Sequence, residues 1–352
     1  MIFSESSEMD CEPIVSILIV HYKGLHQLRA CVSSLQSTKQ PGIEVLIVDN
    51  GSSENIADAL PDPNLWKLIP SDRNLGFAGG NNLGLNHCKG KYVLLLNDDT
   101  IANPEFVSTL SRYLDDHPNV GIVQGKMLLP RFEDTLDVCG SFLTAFGLPY
   151  HYGYYKPDGP KYQRNYPVFS AKGACLMFRR DLVSQLGGFL FDEDFFCYYE
   201  EADFCHRAWL AGYEVHFVAS PPIQHLMGGT AGESQSVFVL RHYLRNMTFS
   251  LLSNLSFASR LRILPLFFST LIASAFAAAL TLKRAQLVAH LGAIAYSIAH
   301  YGKIMKRRRL IRKIRRQTDR AIFTKVLRTP RIEYFLKTLT GKLNQYKDDP
   351  LP

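Results

Sequence analysis

The sequence predicts an α/β protein in which a mostly parallel sheet is covered by helices on both faces and followed by a helical appendage. Three observations in the 352-residue chain predict it. From Pro13 to about Gly125, short β-rich runs alternate with helical patterns. Those β-rich runs are apolar on both faces, as strands covered on two sides are. Far downstream, Ile263 to Leu282 form a stretch of twenty residues without a charge.

Taken in order, "VSILIV" is a strand, "LHQLRACVSSLQ" a helix, "EVLIVDN" a strand, "GGNNLGLNHC" a helix, "YVLLLNDD" a strand and "EFVSTLSRYLDDH" a helix. In parallel sheets of this kind ligands bind beyond the carboxyl ends of the strands. Asp49, Asp98 and Asp99 all fall at such ends, on one rim. Two adjacent acids there fit a helix N-cap, a solvated turn, or a sparse site for a hard divalent cation completed by substrate phosphates. From about Lys126 to Tyr166 the chain is rich in Tyr, Gly and Pro without a period, which reads as loops and short strands bordering a cleft. Regular signal returns with "GACLMFRRDLVSQLGGF" and "EEADFCHRAWLAGYEVHFV", where a helix begins near the acids and stops at Gly212 before a new strand.

The uncharged stretch is long enough to span a bilayer. Arg260 and Arg262 precede it, while Lys283 and Arg284 follow it ahead of "AQLVAHLGAIAYSIAHYG". Positive charge at both ends removes the asymmetry that orients a single span, so a re-entrant or interfacial helical pair explains the flanks better. A helical appendage or a dimer interface is the alternative. The formal charge is +7, yet Lys303 to Arg320 alone carry ten Lys or Arg against one Asp, +9, so the remainder is 7 − 9 = −2. One basic stripe on a nearly neutral body points to a localised contact with an anionic membrane surface rather than to nucleic acid, since aromatic interleaving is absent. Ile304, Leu310, Ile311, Ile314 and Ile322 recur among those basic residues at roughly helical spacing, the pattern of a helix lying on an anionic leaflet or of a solvated charged helix.

The expected organisation is thus a tail over 1–12, an α/β domain over 13–256, apolar helices over 257–302, and a basic amphipathic helix with its tail over 303–352. Seven scattered cysteines with no CxxC pair suggest neither a disulfide framework nor a zinc site. The acidic start "MIFSESSEMDCEP" does not read as a signal peptide, so the expected location is the cytoplasmic side of the cell membrane.

The runs "VSILIVHYKG", "VLIVDNGSSEN", "NLGFAGGNNLGL", "VLLLNDDT", "GGFLFDEDFFCYYEEADFCHRAWLAGY" and "IQHLMGG" occur in the order seen in one family. Over about residues 13 to 250 the chain resembles glycosyltransferase family 2, with the GT-A nucleotide-diphospho-sugar transferase fold, and is most similar to bacterial rhamnosyltransferases of surface-polysaccharide assembly. The resemblance implies an inverting transfer from a nucleoside-diphosphate sugar, with dTDP-rhamnose favoured, to a lipid-linked or polysaccharide acceptor, using Mg²⁺ or Mn²⁺. It places Asp49 at the nucleotide base or ribose, and Arg73, Asn74 and Gly76 in the loop beside the sugar nucleotide. Asn97 stands where the family's first acid usually sits, Asp98 at the ribose or behind the metal, and Asp99 on the metal together with His225. Glu201 matches the general base, with Glu200 a substitute and Asp203 structural or acceptor-facing. The run "GGFLFDEDFF" is two residues longer than the usual one, which bears on the acceptor loop. Other readings are a catalytically silent scaffold of a polysaccharide assembly complex, a transferase using UDP-hexose or UDP-N-acetylhexosamine, and a metal-dependent sugar-nucleotide hydrolase.

Overall fold

A computed structural model of the chain describes residues 14–60, 65–226, 233–339 and 342–351. The expected tail over 1–12, and Met227, Gly228 and Gly229 of "IQHLMGG", lie outside the described residues. The first half runs β1 (Val15–His21), α1 (Leu25–Leu35), β2 (Ile43–Asn50), α2 (Ile56–Ala59), β3 (Trp66–Ser71), α3 (Gly76–Leu85) and β4 (Tyr92–Leu96). It continues with β5 (Thr100–Ile101), α4 (Phe106–Asp116), β6 (Val120–Gln124), β7 (Met127–Leu128), β8 (Ser141–Thr144), β9 (Pro149–His151), β10 (Tyr166–Pro167), β11 (Cys175–Arg179) and α5 (Leu182–Gln185). Next come α6 (Glu200–Ala211), β12 (Glu214–Phe217) and β13 (Ile223–His225). The remainder is α7 (Glu233–Asn254), α8 (Phe257–Leu280), α9 (Arg284–Ala299), α10 (Tyr301–Ile314), α11 (Asp319–Val326), β14 (Leu327–Arg328) and α12 (Ile332–Leu339).

Eight strands form the main sheet in the order β10-β12-β6-β11-β4-β1-β2-β3. Pairs β4-β1, β1-β2, β2-β3 and β12-β6 are parallel, while β11 runs antiparallel to both β4 and β6. Successive side chains of a strand point to opposite faces, and here both faces are covered. Val93 and Leu95 of β4 enter one apolar core, and Tyr92, Leu94 and Leu96 enter the other. That is why the strand tolerates no polar position until Asn97.

Strand β3 is not among the strands that the apolar pattern predicts. It lies at the edge of the sheet, pairs with β2 alone among the described residues, and carries Pro70, which an edge position tolerates because one side of the strand makes no ladder bonds. The period-free region from 126 to 166 is indeed short strands and loops. A small sheet, β14-β8-β9, forms there, together with a buried tyrosine cluster that includes Tyr150, Tyr152 and Tyr162.

The C-terminal region corrects one expectation. Ile304, Ile311 and Ile322 do not face a leaflet, because all three are buried against the body of the protein. Strand β14 pairs with β8, and Asp348 accepts hydrogen bonds from Tyr150 and Tyr162 at 3.1 and 2.7 Å. Residues beyond 303 therefore build part of the same core instead of a separate tail. An amphipathic helix with a basic outer face carries the same pattern whether its apolar side meets lipid or protein. Helices α8 and α9 do pack as a pair, as their apolar sequences suggest. Leu261, Ile272, Phe276, Leu280, Leu282 and Ile298 leave that pair 59–82% exposed. Among the described residues α8 alone is long and apolar enough to cross a membrane.

Candidate active site

Parallel register brings the carboxyl ends of β1, β2 and β4 to one rim, with His21 opposite Asp49. Asp49 Oδ1 accepts from the Ser52 amide at 2.8 Å, so part of its carboxylate caps the turn after β2. Its neighbour Asn50, which the sequence did not single out, organises the next loop. Asn50 donates to Gly76 O and Asn74 Oδ1 at 3.0 and 3.2 Å and accepts from the Leu75 amide at 2.8 Å. Asn74 Oδ1 also accepts from the Gly76 amide at 2.8 Å. Gly76 has φ +71°, and a Cβ there would lie 2.3 Å from Phe196 O. Only glycine fits, because the residue must turn left-handed against a backbone carbonyl. Arg73 is exposed and, with Asn74, Glu193 and Phe196, lines an open cleft of about 510 Å³.

At the end of β4, Asn97 donates its amide to Ala174 O at 3.1 Å, which ties the acid pair to the loop before β11. Asp98 Oδ2 lies 2.7 Å from His21 Nδ1, and the other ring nitrogen of His21 lies 3.0 Å from Glu54. Burial disfavours charge on both His21 and Asp98 and pushes the Asp98 carboxyl up, His21 only partly offsetting it. For His21 the two carboxylates outweigh burial and raise its pKa. A carboxylate on each ring nitrogen makes the imidazolium the form that this geometry suits. His21 closes the rim strand "VSILIVH", and its place beside the other strand ends was the available signal.

Asp99 meets His225 through a short ladder. Strand β13 pairs antiparallel with β5, His225 opposite Thr100, and the Leu226 amide donates to Asp99 O at 2.8 Å. His225 Nε2 then lies 3.3 Å from Asp99 Oδ1, while Nδ1 lies 2.6 Å from Asp137 Oδ2. Lys172 Nζ clamps both oxygens of Asp137 at 2.7 and 2.6 Å. Burial works against the Asp137 charge, but Lys172 and His225 hold its pKa down at about 2. Neither Asp137 nor Lys172 carries a sequence signal, since Asp137 stands 88 positions from the histidine it orients.

This donor set fits a hard divalent cation. A metal-bound histidine usually gives its other N–H to a carboxylate, which fixes the ring, and Asp137 is placed to accept it. The spot also favours positive charge: burial opposes it, yet Asp137 and Asp99 together raise the pKa of His225. Among the described residues no group of three or more His, Cys, Asp or Glu is arranged to hold a metal ion by itself. Two protein ligands, completed by phosphate oxygens and water, is the sparse arrangement that Mg²⁺ accepts.

Helix α6 begins with Glu200 and Glu201 and ends at Gly212 in the left-handed region, as its sequence predicts. The approach to it is strained: Phe196, Tyr198 and Tyr199 have φ of 62°, 68° and 74°, unusual for side chains that large. Helix α7 holds this turn in place. Asn246 Nδ2 donates to the carbonyls of Phe195, Cys197 and Tyr198 at 3.0, 3.0 and 2.7 Å. Glu200 is buried, and Glu201 is half-buried beside Gly173 and a small aromatic cavity lined by Tyr199, Phe169 and Tyr243. Burial and then the charge of Glu201 push the Glu200 carboxyl well up. Glu201 is raised by burial too, but backbone amides and the Lys172 ammonium work in favour of its charged form. Both carboxyls are thus pushed up, and Glu201 is the one with groups that favour its charged form.

Asp203, one turn further on, points away from this cavity. It accepts from Arg207, Arg307, Ser250 and Asn254 at 3.0, 2.5, 2.8 and 2.8 Å, joining α6, α7 and α10, so its role is structural. Arg307 also reaches Asp192 of the long "GGFLFDEDFF" run at 3.2 Å, and Lys303 reaches Asp194 at 2.6 Å. The basic helix thus fixes the loop that leads to the glutamates.

A mostly parallel sheet whose rim carries an Asp-His pair, with a glutamate pair at the start of a later helix, has the architecture of a GT-A glycosyltransferase domain. Residues 16–187, just under half of the chain, match the model of glycosyl transferase family 2, and this domain belongs to that family. The match ends before Glu200 and His225, so their roles rest on the geometry above. A low-salt glycan biosynthesis hexosyltransferase of Haloferax volcanii is 30% identical over 203 residues, covering 55% of this chain and 61% of that protein. An N-acetylglucosaminyl-diphospho-decaprenol L-rhamnosyltransferase of Mycobacterium tuberculosis is 26% identical over 265 residues, covering 66% of this chain and 82% of the relative. The chain spans 61% of the length of the first of these and only 15% and 23% of two further relatives. Among solved structures, GalNAc-T7 with UDP, GalNAc and Mn²⁺ superposes over 94% of this chain and 58% of its own, with a TM-score of 0.62 at 14% identity, a likeness of fold.

Proposed function

We propose that the protein is an inverting, metal-dependent glycosyltransferase that moves a sugar from a nucleoside diphosphate to a hydroxyl of a lipid-linked or growing glycan at the cytoplasmic face of the membrane. The observation that carries this reading is the polar line Asp99, His225, Asp137, Lys172, which leads from the candidate metal ligands towards Glu201. It sets an acid for the acceptor on one side and a cation site for the leaving group on the other. Asp99 and His225 would hold a divalent cation, which would supply electrostatic stabilisation of the departing diphosphate. Glu201 takes the proton of the acceptor hydroxyl as its oxygen attacks the anomeric carbon, and the sugar–phosphate bond breaks on the opposite face, so no covalent enzyme intermediate is needed. Asp49 and Asp98 are positioned to bind the nucleotide, with Arg73, Asn74 and Gly76 in the loop beside it. The exposed apolar pair α8–α9 supplies the membrane contact. Rhamnose is the favoured donor sugar because one relative is named an L-rhamnosyltransferase.

The test is calorimetry of the purified protein against UDP-, GDP- and dTDP-sugars, with Mn²⁺ and with a chelator. One donor, dTDP-rhamnose in this reading, is expected to bind at least about tenfold more tightly with Mn²⁺, and Asp99→Asn is expected to abolish the difference. Binding that ignores the metal removes the metal site, and binding of no donor favours the scaffold.

A second expectation concerns pH. Transfer requires ionised Glu201, whose pKa is raised, so turnover is expected to fall on acidification at a pH above about 4.3, the ordinary glutamate value. The profile at saturating donor and acceptor checks this; an acid limb at the ordinary value would reject Glu201 as the base.

A further inference from the structure

Helices α7, α8, α9 and α10 enclose a second cavity, of about 300 Å³. Its walls are apolar, formed chiefly by Phe268 of α8, Ile294 and Ile298 of α9 and Ile304 of α10. Two arginines, Arg260 and Arg308, also line it, and none of its lining residues is acidic. Arg308 donates to the carbonyls of Leu252 and Leu255 at 2.8 and 3.2 Å, which holds its guanidinium at the end of α7. Arg260 lies over the Phe257 ring, 5.7 Å from its centroid, and its Nε is buried without a hydrogen-bond partner among the described residues. Burial, and then the neighbouring Arg260 charge, push the Arg308 guanidinium down. Two cations at one cavity with no counter-charge among the described lining residues leave an anion's place open, because a buried charge is ordinarily paired.

The surroundings say what kind of anion. Ile298 and Tyr301, both lining residues, are 73% and 64% exposed, and from there the bare apolar faces of α8 and α9 run on through Phe276, Leu280 and Leu282. A ligand that satisfies both halves has an anionic head beside a hydrocarbon chain.

We propose that this cavity binds a single anionic phospholipid, its phosphate between Arg260 and Arg308 and an acyl chain along Phe268, Ile294 and Ile298. The site extends the membrane contact proposed above from a bare apolar surface to a lipid-selective one. Arg forks recognise phosphate oxygens by paired, charge-assisted hydrogen bonds. A zwitterionic head carries a cation of its own and is disfavoured next to two arginines.

Native mass spectrometry of the full chain in detergent, with phosphatidylglycerol, phosphatidylcholine or glycerol 3-phosphate added, tests the site. Phosphatidylglycerol is expected to be retained about tenfold better than phosphatidylcholine, and glycerol 3-phosphate hardly at all. Arg260→Gln is expected to remove the preference and Arg260→Lys to restore part of it. Equal retention of the two lipids by the unaltered protein overturns the proposal without recourse to any variant. So does tight binding of glycerol 3-phosphate, which would mark a plain anion site, and so does an unchanged preference in Arg260→Gln. Flotation with phosphatidylcholine vesicles separates the two readings: a chain that floats but shows no lipid preference keeps the membrane contact and loses the lipid site.

Discussion

The Glu201→Gln variant is expected to turn over about 10²- to 10⁴-fold more slowly than the unaltered protein while binding its donor equally well. Glutamine keeps the size of the side chain and its place at the start of α6, so the strained turn before it has no reason to move. It cannot accept a proton, and a sugar hydroxyl that keeps its proton is a poor nucleophile. Glu200→Gln makes the contrast. Glu200 is 4% exposed and burial pushes its carboxyl well up, which favours its neutral form, so a neutral amide there is expected to change turnover by less than about tenfold. Single-turnover measurements with saturating donor check both variants. The opposite pattern makes Glu200 the base. If both variants are as active as the parent, the chemistry lies elsewhere.

Legibility from sequence followed the range over which each part is built. Strand β4 could be read because burial on both faces leaves an unbroken apolar run, and its abrupt end at Asn97 marked the rim without further information. Helix α6 could be read because its acids begin it and Gly212 ends it. His21, Asp137 and Lys172 could not be assigned, since what brings each one to the candidate site is a partner 77, 88 or 35 positions away. The basic C-terminal helix misled for another reason. Its charges are of two kinds, alike in sequence: Lys306, Arg309 and Lys313 stay exposed, while Arg307 is buried among carboxylates. A period of 3.6 fixes which residues share a face and leaves open what that face meets.

That buried arginine leads to the largest expected loss of stability, from Asp203→Ala. Asp203 sits between Arg207, fully buried, and Arg307, 7% exposed. Both guanidiniums also lie over the Phe189 ring, 4.5 and 4.4 Å from its centroid. A buried ion pair adds little beyond an apolar replacement of the same shape, but removing one partner strands the other charge in a medium that cannot solvate it, at a cost of about 3–5 kcal/mol. Here one carboxylate serves two cations, so the upper end of that range is expected in urea unfolding. The charge explanation is tested by Asp203→Ala combined with Arg307→Met, which removes one of the stranded cations and is expected to recover part of the loss. A double variant no more stable than the single one would mean that the loss comes from the cavity or from Ser250 and Asn254. The pH dependence has a fixed sign. Arg307 and Arg207 hold the Asp203 carboxyl far below its unfolded value against burial, so its stabilisation is complete above about pH 3.9 and is lost as the pH falls from there towards the folded pKa. The variant should therefore lose less stability on acidification than the parent over that window, and parallel curves would count against the network. Because α6, α7 and α10 meet at this one carboxylate, and Asn246 of α7 holds the turn ahead of Glu201, a conservative Asp203→Asn that still folds is expected to lower turnover more than donor affinity. The damage would then have travelled along α6 to the base, leaving the nucleotide rim undisturbed.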